Sequence, residues 1–106
     1  MLFGKKKDKS KAFRRSSAAA LDGKYIKCVT ERFDDSSEET VGRTGAFIVK
    51  GDELLIYSEE KVIFRSHIDE TDFSPLLSMG GIIISGDDTE HGGNHRTLVA
   101  YYTYHI

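Results

Sequence analysis

The chain has 106 residues, of which 39% are hydrophobic and 30% charged, with one proline, one cysteine and a formal net charge of −2. That length holds one hydrophobic core, the composition is that of a soluble globular domain rather than a disordered or fibrous one, and no apolar run approaches the roughly 18 residues that span a bilayer. A transmembrane segment is therefore excluded, and the lone Cys28 rules out an internal disulfide and favours a reducing, cytoplasmic setting.

The charge is unevenly placed. Residues 1–20, "MLFGKKKDKSKAFRRSSAAA", carry Lys5, Lys6, Lys7, Lys9, Lys11, Arg14 and Arg15 against Asp8 alone, a net +6 that leaves −8 for the rest. No apolar stretch of the kind a secretory signal needs precedes "SSAAALDG", and an organellar transit peptide is the weaker alternative. The segment shows neither strand alternation nor a convincing helical stripe, so it reads as a mobile basic arm, although Lys11 to Leu21 could form a short helix ending at Asp22-Gly23.

From Gly23 onward, short runs of β-branched and aromatic residues alternate with Gly, Asp and Ser. "KYIKCVTERF" at 24–33 opens the series, and the acidic interval "DDSSEETVGRTG" leads to "AFIVK", with Phe47 and Val49 on one face. "ELLIYS" and "KVIFRS" follow, with turns at Gly51-Asp52 and Glu59-Glu60; the three segments predict an antiparallel meander. "HIDETDFSPLLSM" at 67–79 breaks the alternation and predicts a turn with a short helical piece. "IIIS" resumes as a strand apolar on both faces, and "RTLVAYYTYHI" supplies the last one. Six strands without crossover helices predict a mainly β, single antiparallel domain over 21–106, curled into a small barrel or sandwich.

The alternation assigns the core to Ile26, Cys28, Phe47, Val49, Leu54, Ile56, Val62, Phe64, Ile68, Phe73, Leu77, Ile82, Ile84, Leu98, Ala100 and Tyr102. The opposite faces keep Ile48, Leu55, Tyr57, Ile63, Ile83, Val99 and Tyr101, so either a second layer or a partner is expected to cover them, and a homodimer is one such partner.

The densest group of reactive side chains is "DDTEHGGNHRT" at 87–97. Its first reading is a hairpin loop in which Gly92-Gly93 supplies positive φ; its second is a divalent-metal site formed by Asp87, Asp88, Glu90, His91 and His95. No GxSxG, Walker-type or GxGxxG pattern occurs, and the His91-x-x-x-His95 spacing lacks the Glu and the helix of a zinc protease, so no catalytic residue or cofactor is assigned. Cys28, alternating with Ile26, reads as a structural thiol. Asp69 and Asp72 read as caps of the short turn.

The order of hairpin, third strand, "HIDETDF" bend, Gly-Gly, "IIIS", polar loop and terminal strand, from Thr44 to Tyr104, resembles a bacterial pleckstrin-homology or GRAM-like domain. The resemblance implies a scaffold that binds phospholipid, a peptide or another domain rather than a catalyst. With the basic arm it supports a small non-enzymatic domain for binding or assembly, with Lys5, Lys6, Lys7, Lys9, Lys11, Arg14 and Arg15 drawn to an anionic lipid surface. Nucleic acid is disfavoured, because a body of net −8 repels phosphates. The alternative is a metal-dependent or acid/base enzyme built on the 87–95 loop.

Overall fold

The computed structural model describes residues 2–102, with side chains from residue 11 onward. Nine strands in two antiparallel sheets, preceded by one helix, make up the described residues. The helix α1 spans Leu2–Leu21. It is followed by β1 (Tyr25–Ile26), β2 (Cys28–Arg32), β3 (Glu38–Gly42), β4 (Gly45–Lys50), β5 (Glu53–Ser58), β6 (Lys61–His67), β7 (Asp72–Pro75), β8 (Gly81–Asp88) and β9 (Asn94–Tyr101). One sheet runs β1-β4-β5-β6 and the other β3-β2-β9-β8-β7, so the architecture is a sandwich rather than a closed barrel.

The predicted meander is β4-β5-β6, with Phe47 opposite Ile56 and Ile56 opposite Phe64. These side chains are fully buried and meet Val29, Ile84, Leu98 and Ala100 of the other sheet in one core. Each contributes about 1.5–3 kcal/mol by leaving water. The β4–β5 approach is close enough that a Cβ on Gly45 would overlap the Tyr57 carbonyl oxygen, which is why glycine opens β4.

Three extra strands separate the structure from the six-strand reading. β3 lies in the acidic interval, where Glu38, Glu39 and Thr40 are exposed on an edge strand and no apolar alternation marks it. β1 is a two-residue pairing to β4. Within 67–79 the expected helical piece is a short 3-10 helix at Ile68–Glu70, and Asp72–Pro75 then pairs with β8 as an edge strand, the position in which a proline is tolerated. The 87–97 hairpin is tighter than expected: β8 and β9 pair as far as Asp88 and Asn94, leaving a 3-10 helix at Thr89–His91 and Gly92-Gly93, with φ of 84° and 78°, to turn the chain.

The core assignment changes at its margins. Leu77 is fully exposed at the β7–β8 turn, Cys28 and Val62 are half-buried, and Val49 and Tyr102 pack against the core from its edge. Leu55 and Val99, expected to point outward, are buried. Each is in the middle of its sheet, Leu55 between Ile48 and Arg65 and Val99 between Thr30 and Ile83, so flanking side chains on the same face cover them. A partner is not required to hide them. Tyr104 and the end of the last strand lie outside the described residues.

The segment read as a mobile basic arm is helical over Leu2–Leu21, a longer helix than the one expected over Lys11 to Leu21 but with the expected end before Asp22-Gly23, and its last turns are part of the core: Ala18 and Leu21 are buried against the sandwich. The stripe escapes a pattern search because its buried face is made of one small residue, one leucine and arginines held by carboxylates. Asp22 then accepts from the Val49 N–H at 2.9 Å, and the Gly23 N–H donates to the Phe47 carbonyl at 2.7 Å, which fixes the end of the helix to β4.

The β5–β6 turn places Glu59 and Glu60 at φ of 52° and 69°, a left-handed pair that hairpins ordinarily give to Asn-Gly. Replacing Glu59-Glu60 by Asn-Gly is expected to raise stability by about 1 kcal/mol. Urea unfolding checks it; unchanged or lower stability contradicts the left-handed assignment.

Candidate functional site

Strand alternation divides the 87–95 cluster. Along β8, Asp88 faces inward and Asp87 outward, and along β9 Arg96 faces inward and His95 outward. The five residues proposed as metal ligands therefore form two separate groups. Among the described residues no group of three or more His, Cys, Asp or Glu side chains is placed to hold a metal ion.

The inner group is built around Asp88, whose side chain is completely buried. It caps the Thr89–His91 helix by accepting from the Glu90 N–H at 3.0 Å, and it accepts from the His91 Nδ1–H at 2.7 Å and from Arg96 at 2.6 Å. It also accepts from the Arg65 N–H at 3.2 Å, which joins the free edge of β6 to the other sheet. Thr89 completes that junction by donating to the Arg65 carbonyl at 3.3 Å. Burial acts to raise the Asp88 pKa, but donation from Arg96, His91 and the Arg65 N–H outweighs it and holds the carboxyl below its ordinary range.

Arg96 spans this end of the sandwich. It donates to Glu31 at 2.8 Å, to Asp88 and to the Ile63 carbonyl at 3.1 Å. The Glu31 hydrogen bond raises its pKa, burial opposes the rise, and Asp88 adds to it. Arg65 extends the network to Glu53 and Glu90, each at 3.1 Å. Above the network an open cleft of about 640 Å³ has Phe33, Val41 and Ile63 as apolar walls, with His91, Asn94 and Arg96 as polar ones. Glu31, Arg65 and Arg96 were absent from the sequence-based site, yet the period-two run Arg96, Leu98, Ala100 already directs Arg96 inward.

The outer group is a chain of three side chains. The His95 Nδ1–H donates to Asp87 at 2.9 Å, and its Nε2 is 3.0 Å from the Ser85 hydroxyl, which also lies 3.1 Å from the Thr97 hydroxyl. Carboxylate, imidazole and hydroxyl follow one another as in serine hydrolases. Acyl transfer, however, also needs N–H donors aimed at the developing oxyanion. Ser85 lies mid-strand, paired with Asp72 on one side and Thr97 on the other, so the neighbouring backbone is committed to the sheet. Asp87 and His95 are both more than half exposed, and the three groups form a polar cross-strand ladder on an open sheet face.

The basic residues also divide. Arg15 holds Asp69 with two 2.7 Å hydrogen bonds, from Nε and from a terminal nitrogen, and reaches Asp52 at 2.9 Å. Its pKa is raised by Asp69 first and Asp52 second, and Arg15 in turn lowers that of Asp69. Arg14 donates to Asp72 at 2.6 Å and to the Asp69 carbonyl at 2.7 Å. Both arginines are thus engaged in docking α1, and Asp69 and Asp72, expected to cap a turn, receive the helix instead. Lys11 is exposed; the side chains of Lys5, Lys6, Lys7 and Lys9 lie outside the described ones. No helix among the described residues is long and apolar enough to cross a membrane.

No family model, curated protein or solved structure matches the chain.

Because the folded Asp88 pKa lies below its unfolded value near 3.9, its contribution is complete above that pH and is lost as pH falls through the folded pKa. D88N is expected to cost about 3 kcal/mol at pH 7, since Arg96 and the Arg65 N–H lose a charged acceptor, and to flatten the acid limb of stability below about pH 4. Chemical denaturation from pH 2 to 7 tests both; a wild-type acid limb retained in the variant would remove Asp88 from this role.

Proposed function

We propose that the protein is a small non-enzymatic β-sandwich domain for binding or assembly, recruited to anionic membrane surfaces by the lysine-rich part of α1. The carrying observation is the division of charge along that helix. Arg14 and Arg15 are engaged by Asp52, Asp69 and Asp72 through their terminal nitrogens, whereas Lys11 is exposed, and α1 continues back to Leu2 through a segment containing Lys5, Lys6, Lys7 and Lys9. Docking and recruitment then use different cations. The resemblance to pleckstrin-homology and GRAM-like domains supports the same class of role.

Basic residues close to an anionic leaflet contribute about 1 kcal/mol each at low salt. Removing residues 1–20 is a poor test, because Ala18 belongs to the core. Replacing Lys5, Lys6, Lys7 and Lys9 together by Gln leaves the docked turns intact. We expect the intact chain to sediment with anionic vesicles at low ionic strength, to be released by salt, and to ignore neutral vesicles. The four-fold variant should bind about 1,000-fold more weakly. Equal sedimentation of the two proteins would overturn the recruitment reading.

A further inference from the structure

The β7–β8 turn carries the most exposed large apolar side chains among the described residues, Leu77 at 103% and Met79 at 82% of their reference exposure. The turn is ordered rather than loose. The Leu76 N–H donates to the Gly81 carbonyl at 3.0 Å and the Met79 N–H to the Leu76 carbonyl at 2.9 Å. Met79 sits at φ 64°, a left-handed conformation that a non-glycine residue enters at an energetic cost. Glycine or asparagine at 79 and a polar residue at 77 would suit a turn facing only water; this chain places Met and Leu there.

The turn abuts α1. Ala20 of the helix and Pro75 and Met79 of the hairpin line a mostly apolar groove of about 320 Å³, with Tyr102 and Lys24 also on its wall. Lys24 Nζ stands 4.5 Å from the Tyr102 ring. Ser17 belongs to the same groove, and Phe13, an exposed aromatic, precedes Ser17 and Ala20 by four and seven residues, so it shares their helix face. Since Arg14 meets Asp72 and Ala20 shares a groove with Pro75, α1 runs alongside β7 in the same direction. Phe13 thus shares the helix face that lines the groove with Met79, Leu77 precedes Met79 by two residues in the same turn, and the exposed Lys11 and Lys24 flank the helix face in sequence.

We infer that Leu77, Met79 and Phe13 insert into the headgroup and upper acyl region of an anionic bilayer, with α1 lying in the plane of the membrane. The inference rests on the recruitment reading above and specifies the face that makes contact. Charge distribution selects the bilayer as occupant: Lys11 and Lys24 are exposed, and the exposed Asp72 on β7 is paired with Arg14. The exposed Asp34, Asp35 and Glu39 belong to the β2–β3 hairpin, and β3 and β7 are opposite edges of the five-stranded sheet, so the acidic hairpin is held away from the leaflet. A second copy pairing symmetrically through the same face would instead bring two lysine-rich helices together.

The chain contains no tryptophan, so L77W creates a unique fluorophore at the tip. With vesicles of phosphatidylglycerol and phosphatidylcholine its emission should shift to the blue and be quenched by brominated acyl chains, with neither effect in phosphatidylcholine alone. L77D/M79D should keep the wild-type melting temperature, because both side chains are already in water, and lose roughly 100-fold in vesicle partitioning. Wild-type sedimentation with vesicles that leave L77W emission unshifted overturns insertion while recruitment by α1 stands. Absence of sedimentation by the wild-type chain overturns both. A blue shift that needs no vesicles and grows with protein concentration overturns insertion in favour of a second copy.

Discussion

The carboxylate of Asp88 sits where β6, β8 and β9 meet, and its hydrogen bonds join the two sheets at one end. Two donors are backbone N–H groups, of Arg65 and Glu90, and two are side chains, His91 and Arg96. A buried carboxylate is costly unless fully paired, so this arrangement tolerates few alternatives: the short helix after β8 must form, Arg96 must point inward, and β6 must present its edge. The same contacts cover that edge. A four-stranded sheet ending in β6 would otherwise offer unpaired backbone groups to another chain, and the Arg65 N–H and carbonyl are engaged by Asp88 and Thr89.

α1 acts on the same sandwich by a different means. Ala18 and Leu21 contribute apolar burial, while Arg14 and Arg15 add ion pairs whose partners are partly exposed. Such pairs are individually weak in water, but the two-pronged contact of Arg15 with Asp69 has the fork geometry that gives an ion pair direction. The arginines therefore set where the helix lies and the apolar residues supply most of the energy that holds it.

Period-two alternation made the central strands legible, because Phe47, Ile56, Phe64, Ile84 and Leu98 are large, apolar and correctly spaced. β3 was not legible because an exposed edge strand of Glu and Thr carries no burial signal. α1 was only partly legible, as a short helix from Lys11 to Leu21, because its contact face mixes Ala18 and Leu21 with arginines whose carboxylate partners are 37 to 58 residues away in sequence. The candidate site divides for another reason. Asp87, Asp88, Glu90, His91 and His95 are neighbours in sequence, but alternation sends adjacent residues to opposite faces, so a cluster in the chain became two groups in space. The partners that complete the inner group, Glu31 and Arg65, come from other strands: β2 is paired with β9, and the β6 edge packs against β8 of the other sheet.

The engagement of Arg14 and Arg15 bears on how charge can serve function in this chain. If all seven cations of residues 1–20 were needed to hold the helix, any external anion would compete with the fold. Instead the two that dock are matched to specific carboxylates on β7, the Ile68–Glu70 helix and the β4–β5 turn, and the lysines belong to earlier positions of the helix. Lysine, a hydrated point charge on a flexible stem, suits diffuse attraction to a charged surface, whereas the arginine fork suits a fixed carboxylate. The division of the two residue types along α1 thus matches a division of labour, in which the sandwich can keep its helix while the proposed membrane contact forms and is released with ionic strength.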